Sequence, residues 1–424
     1  MSRLDELIKN LCPNGVEYKT IGEIALDIYR GSGIKRDQVT AVGIPCVRYG
    51  EIYTTYGIWF ENCKSHTQLG YVKSPKYFEH GDILFAITGE SVEDIAKCCA
   101  YIGYEKCLAG GDIVVLKHNE NPKYISYALS TVDAQRQKSA GKVKSKVVHS
   151  SVPSIKAIKI PVPPLEVQRE IVCMLDRYTM LTNELTAKLT AELTARQKQY
   201  EYYRDKLLSF DVHGGGISEL TWKTLGDIAT VTKLAGFEFT KYVRYSDDGS
   251  IIALRGLNIK NGKLNLDDIK YIDNSDLSKL SRSKLHVGDM LFTYVGTVGQ
   301  VALIDKEDKY YLAPNVALIR CDKNVLMPKY MRYYFQSNQF FKTQINRLLQ
   351  SSSMKNIPMG KIRKFKIPVP ALDVQEKIVN ILDKFDAICT DLTSGLPAEI
   401  AARQKQYEYY RDKVLDFNNL QKEG

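Results

Sequence analysis

Residues 159–210 read KIPVPPLEVQREIVCMLDRYTMLTNELTAKLTAELTARQKQYEYYRDKLLSF, and residues 366–417 read KIPVPALDVQEKIVNILDKFDAICTDLTSGLPAEIAARQKQYEYYRDKVLDF. The two align without a gap at an offset of 207, with 31 identities in 52 positions, and RQKQYEYYRDK is identical at 196–206 and 403–413. Such agreement is a duplication, and repeats of this kind organise a whole fold. Each copy opens on a proline-rich stretch (Pro161, Pro163, Pro164; Pro368, Pro370) that cannot be helix interior. After Leu165 no Gly or Pro occurs until His213-Gly214-Gly215-Gly216. Apolar residues recur at helical spacing at Ile171, Leu175, Tyr178, Leu181, Leu185, Leu189 and Leu193, then at Tyr200, Tyr203, Leu207 and Phe210.

This pattern predicts a long helix in each copy, about 45 residues and roughly 67 Å at 1.5 Å per residue. A helix that long needs a partner for its apolar face. The first helix leads out of one block and the second returns from the next, so the two are expected to pair antiparallel as a coiled coil. The second copy departs at Ser394-Gly395-Leu396-Pro397, where Pro397 predicts a kink or break and Ser394 a new helix cap.

Outward from these segments the repeat is fainter. Lys19–Ala25 (KTIGEIA) matches Lys223–Ala229 (KTLGDIA), Gly81–Phe85 matches Gly288–Phe292, Arg48 matches Arg255, and Pro122–Tyr124 matches Pro328–Tyr330. The expected organisation is an N-terminal segment 1–19, a domain 20–158, a conserved helix 159–210, a glycine-rich linker 211–221, a second domain 222–365 and a second helical region 366–424. The domains read as mixed α/β, with strands at Ile44–Tyr49, Asp82–Ile87, Ile113–Leu116, Ile251–Leu254, Met290–Tyr294 and Val316–Arg320. Each ends in an aromatic helical patch, Tyr124–Leu129 and Tyr330–Phe335. The fold class is therefore α+β, with two mixed domains, two long antiparallel helices and a pseudo-twofold internal repeat.

The chain has 424 residues, 44% hydrophobic and 25% charged, which excludes disordered and collagen-like classes. No apolar run reaches the roughly 18 residues of a membrane span, and MSRLDELIKNLCPNG has no signal-peptide apolar region. Nine cysteines without a CxxC pair, and scattered histidines without HExxH, argue against zinc and for reduced thiols in a cytoplasm. The net charge of +10 is uneven: residues 20–158 carry +3, residues 222–365 carry +10, 164–210 carry zero and 371–424 carry −3. Basic blocks suit a polyanion partner or simply a solvated surface.

The segments IPVPPLEVQREIV and IPVPALDVQEKIV, the doubled RQKQYEYYRDK and the paired KTIGEI/KTLGDI resemble the DNA-specificity subunits of type I restriction–modification enzymes. The resemblance spans essentially the whole chain. It implies two target-recognition domains held on two antiparallel conserved helices, each domain reading one half of a split double-stranded DNA sequence from the major groove. It implies that the helices dock two methyltransferase subunits, that nuclease–translocase (restriction) subunits join them, and that this chain carries no catalytic site or cofactor. The competing readings are a self-sufficient methyltransferase or nuclease and a coiled-coil adaptor.

The motifs fit the first reading. There is no GxxxxGK[ST] and no GxGxxG after a strand. Asn121-Pro122-Lys123-Tyr124 is similar to an NPPY amino-methyltransferase tetrad, but Lys123 replaces a proline and Met327 stands for Asn121 in the paired copy, so a helix-start proline is expected. Glu307 and Lys309 with Asp289 mimic a nuclease carboxylate set, and a charged turn is expected instead. His213–Gly216 lacks a GxSxG partner.

DNA-binding candidates are Lys and Arg for phosphates, and Arg, Asn or Gln for base edges, expected on loops between strands. In the first domain these are Arg30, Lys35, Arg36, Arg48, Tyr49, Lys64, Lys142, Lys144 and Lys146. In the second they are Lys241, Arg244, Arg255, Asn258, Lys260, Arg347 and Lys355, with Arg48 and Arg255 the best pair. Residues 184–195 repeat a tetrad three times (ELTA, KLTA, ELTA), marking Glu184, Lys188 and Glu192 as a spacer element. Each tetrad adds about 6 Å and about 40° of net rotation, against about 3.4 Å and about 35° per base pair.

Overall fold

The computed structural model describes residues 3–141, 147–210, 220–234, 239, 241–349, 356–390 and 395–417. It divides into two compact units, Met1–Lys188 with Ile400–Gly424, and Leu189–Glu399. The conserved helices are thus shared out. Each unit contains one domain, the beginning of one conserved helix and the end of the other.

In the first unit, one five-stranded sheet runs in the order Asp27–Arg30, Ile113–Lys117, Ile83–Ala86, Cys98–Tyr101, Trp59–Phe60. A second runs Val39–Thr40, Ser65–Thr67, Ile44–Val47, Cys107–Ala109, Tyr77–Phe78. Strands Ile83–Ala86 and Cys98–Tyr101 are buried at every position, which is why their sequences are apolar runs and not alternating ones. From the N-terminal helix Arg3–Leu11, Leu4 joins the core made by Ile83, Val114, Tyr124, Ile171 and Leu175.

The second unit is built on Ala229–Lys233, Val316–Cys321, Met290–Thr293 and Val301–Leu303 in sheet order, with the parallel pair Ile252–Leu254 and Tyr310–Leu312 beside it. The strands expected from sequence are present, with one correction. Tyr49 belongs to a helix, Tyr49–Thr54, because Arg48 turns the chain and Glu51 accepts its N–H at 2.9 Å. The aromatic patches are helices Pro122–Leu129 and Pro328–Phe335, each with proline in the first turn.

The first conserved helix is continuous over Leu165–Leu208, so Phe210 lies beyond its end. Its repeat is two helices, Leu372–Thr390 and Leu396–Val414, consistent with the expected break; Ser394 is outside the described residues. In the first unit Tyr178 stacks on Tyr410 at 6.4 Å and 21°, and the Thr179 and Tyr407 hydroxyls meet at 2.9 Å. Rising numbers in one helix meet falling numbers in the other, so the pairing is antiparallel. The second unit repeats it with Phe385 on Tyr203 at 5.5 Å and 22°.

The expected stripe holds in part: Leu189, Leu193, Tyr200 and Leu207 are half-buried, and the departure is around Leu181 and Leu185. Ile171 and Leu175 are fully buried, but Leu181 and Leu185 are exposed, and Thr179, Thr182 and Thr186 are half-buried around them. A tyrosine hydroxyl arriving from the partner helix needs a polar neighbour, which threonine supplies and leucine does not.

Aspartates tie each helix to its domain. Asp176 accepts from Lys123 at 2.7 Å and from the Tyr127 hydroxyl at 2.9 Å. Asp383 accepts from Lys329 at 2.7 Å and Tyr333 at 2.6 Å. Gln168 and Gln375, both fully buried, accept the N–H of Asn121 and Met327 and donate to Pro163 and Pro370. These equivalences explain the conserved spacing: the repeated segments carry the joints.

Candidate nucleic-acid interface

Each unit has a cleft at the carboxyl ends of a parallel strand pair. In the first, Ile44–Val47 runs beside Cys107–Ala109, and Gly110 N–H donates to the Val47 carbonyl at 2.9 Å. In the second, Ile252–Leu254 runs beside Tyr310–Leu312, and Ala313 N–H donates to Leu254 at 3.2 Å. The residue after the first strand is Arg48 in one and Arg255 in the other.

The two arginines are held alike. Their N–H groups are accepted three residues on, by Glu51 Oε2 at 2.9 Å and by Asn258 Oδ1 at 3.0 Å. Their guanidiniums face acids: Arg48 Nη2 lies 3.6 Å from Glu51 Oε1, and Arg255 Nη2 donates to the Asp268 carbonyl at 2.9 Å and carboxylate at 2.8 Å. Nε of each is buried without a partner.

The first cleft, about 980 Å³, is lined by Arg30, Arg36, Arg48, Tyr49, Glu51, Thr54 and the glycines 31, 33, 50, 110 and 111 with Asp112. Arg30 ends a strand instead of lying on a loop, and its guanidinium is tied to Gly111 and Asp112. Arg36, in a short 3-10 turn, is exposed, as are Lys35 and Tyr49. Lys64 is exposed but does not line this cleft.

The second cleft, about 470 Å³, is walled by Phe239, Tyr245, Arg255, Leu257, Thr293, Val295, Thr297, Ala313, Pro314 and Asn315. Burial pushes the Tyr245 hydroxyl pKa up, with Arg255 pulling it partly back. Lys241, Arg244 and Lys260 are exposed outside it, and Lys260 lies in a strand, not a loop. Arg347 is exposed on the helix Asn346–Leu349. Asn258 is a correction: it is fully buried and donates to Asn265 and Asp268 carbonyls, so it holds the loop instead of facing a ligand. Lys142, Lys144, Lys146 and Lys355 lie outside the described residues.

Sequence reasoning missed the acids Glu51, Asp112 and Asp268 and the aromatic walls Phe239 and Tyr245. The Arg-x-x-Glu and Arg-x-x-Asn spacing was the signal for the first of these; the others arrive from distant stretches.

The chemistry-like motifs resolve into structure. Asn121 accepts the Tyr124 N–H at 3.2 Å and caps a helix. Asp289 is buried under Arg320, which donates twice at 2.7 and 2.6 Å, while Glu307 accepts from Val287 N–H and pairs with His286. His213–Gly216 is outside the described residues. Among the described residues no group of three His, Cys, Asp or Glu is placed to hold a metal, and no helix is long and apolar enough to cross a membrane.

The family model for the type I restriction modification DNA specificity domain matches twice, over residues 13–195 and 218–402. The chain belongs to this family. A putative type I restriction enzyme specificity subunit of Haemophilus influenzae is 33% identical over 66% of this chain and 68% of its own length. A type I restriction enzyme specificity subunit of Escherichia coli is 33% identical over 70% of each. Among solved structures, a chain of a type I R-M system studied for complex assembly and conformational transition superimposes with a TM-score of 0.67. That match is 16% identical and covers 95% of this chain and 98% of the other, and it supports the fold. The two specificity domains coincide with the two sequence repeats, and each contains one of the arginine clefts.

Proposed function

We propose that this specificity subunit reads a bipartite duplex site, one half-site per domain, through the clefts that hold Arg48 and Arg255. In this reading the chain contributes recognition and no chemistry, and the reaction belongs to partner subunits. The observation that carries it is the recurrence of one cleft, with one arginine in one geometry, in two domains that have otherwise diverged. A duplicated reading head with altered walls suits two different half-sites. The exposed lysines and arginines around each cleft supply salt-dependent phosphate contacts.

The conserved helices serve the partners. Tyr202 and Tyr409, equivalent in the repeat, are 60% and 62% exposed although both lie in the identical RQKQYEYYRDK block. Exposed aromatics kept identical in two copies suit two identical partners, and methyltransferase subunits fill that role, with restriction–translocase subunits joining them. Glu184, Lys188 and Glu192 are exposed on the continuous helix, where the tetrads set the length of unspecified DNA between half-sites.

The test is co-expression with cognate methyltransferase subunits and sequencing of modified bases. A single split motif with adenine methylation is expected; modification of an unsplit motif, or none, overturns the reading. Deleting Lys188–Ala191 is expected to shorten the spacer by about one or two base pairs, from the rise and twist of one tetrad, with both half-sites unchanged. An unchanged spacer or altered half-sites removes the ruler.

A further inference from the structure

We infer that Arg48 and Arg255 are the base-reading residues, and that each reads a guanine at the corresponding position of its half-site. The inference rests on the DNA-reading function proposed above and assigns chemistry to one residue in each domain.

An arginine at a DNA interface meets either a phosphate or a base edge, and the two uses favour different settings. Phosphate contact favours exposed, uncompensated charge, because affinity comes from releasing counterions. Base reading favours a recessed, oriented fork whose parallel N–H donors match guanine O6 and N7. Arg48 and Arg255 have the second setting. Their side chains are only 31% and 24% exposed, and each is paired with an acid, which cancels most of the long-range pull on phosphate. Their backbones are fixed by a side chain three residues on. Both Nε–H groups are buried without a partner, so base reading falls to the Nη groups of each fork. Arg36 has the first setting: it is exposed at the rim of the same cleft.

The surroundings state how the half-sites differ. The first cleft places Arg30 and Arg36 near Arg48, while the second places Phe239, Tyr245 and Val295 near Arg255. The common guanine therefore sits in a polar context in one half-site and beside apolar contacts in the other.

The test uses the full chain in complex with its methyltransferase subunits and a duplex library randomised in both half-sites. Arg48→Lys keeps the positive charge facing Glu51 and removes the planar fork, so it separates reading from folding; Arg255→Lys does the same opposite Asp268. Each is expected to relax one G·C pair, in its own half-site only, with discrimination there falling about 5- to 150-fold. The salt dependence of binding should stay unchanged. Arg36→Ala should instead weaken all sequences together and reduce the salt slope by about one. Uniform weakening by Arg48→Lys or Arg255→Lys, relaxation at a base other than guanine, or an unchanged motif overturns the inference. If the unaltered complex selects no split motif, the proposed function itself fails, and that result is distinct from an intact motif that the lysine variants leave unchanged.

Discussion

Lys138 is buried where the other unit has an isoleucine. Gln137 exchanges two hydrogen bonds with the backbone of Lys159, at 2.9 and 2.7 Å, and Gln344 makes the same pair with Lys366 at 2.7 Å each. The residues that follow are therefore equivalent: Lys138, 4% exposed, and Ile345, fully buried. The ammonium donates to the Leu129 carbonyl at 2.7 Å and lies 3.8 Å from Cys98 Sγ. Burial, with Arg411 adding repulsion, lowers the Lys138 pKa. The folded state therefore holds the proton less tightly than the unfolded chain, and stability rises with pH between the folded and unfolded values. Below the folded value the full cost of burying a cation is present. Replacing it by Ile removes that cost, of several kcal/mol, and forfeits one charge-assisted hydrogen bond of about 1.5–3 kcal/mol. The expected balance for Lys138→Ile at neutral pH is a gain of about 2 kcal/mol, or about 4–8 °C in the transition of this unit. The gain should shrink as pH approaches the free lysine value of about 10.4. Differential scanning calorimetry of the full chain across pH 6–10 measures both. The reciprocal Ile345→Lys should lower the other unit's transition. A loss of stability in Lys138→Ile at every pH, or a gain that does not vary with pH, would show that the buried ammonium carries no such cost.

Three further substitutions test other joints. Tyr127→Phe removes hydroxyl bonds to Asp176 and Thr179, both 2.9 Å, and should cost about 1–3 kcal/mol in urea unfolding without changing the motif read. Asp289→Ala strips the buried partner of Arg320 and should cost about 3–5 kcal/mol, with part of it recovered in the double variant Asp289→Ala/Arg320→Met, measured by the same assay. Gly43 has φ +140°, and a Cβ there would lie 2.5 Å from the Thr67 carbonyl. Gly43→Ala should therefore destabilise the first unit by at least about 1 kcal/mol and weaken DNA binding, because this turn leads into the strand Ile44–Val47 that ends at Arg48.

What the sequence revealed and what it hid divide along one physical line. The repeat made Arg48 and Arg255 legible, because an offset of 207 survives wherever a joint fixes the spacing. Helix existence was legible from periodicity, and the break before Pro397 from proline chemistry. The cleft walls were not, because they are assembled across sheets: Arg30 meets Asp112 only through the pairing of Asp27–Arg30 with Ile113–Lys117. The helix face misled for a related reason. Counting leucines chose Leu189 and Leu193, which are half-buried, but also Leu181 and Leu185, where the less exposed positions are Thr179, Thr182 and Thr186. The partner helix sets that choice with Tyr407, and one sequence pattern read alone carries no record of the group opposite it. Leu181 and Leu185 are consequently left in solvent beside Tyr178 and Met180. Thr179 meets its partner helix while Leu181 and Leu185 stay exposed, and under the proposed function such an apolar pair suits another protein. In that function the pair lies on the element assigned to the methyltransferase. Polar substitution of Leu181 and Leu185 together should then leave duplex binding by the isolated chain intact and weaken methyltransferase association. Loss of both, or of neither, would assign the pair to folding or to solvent instead.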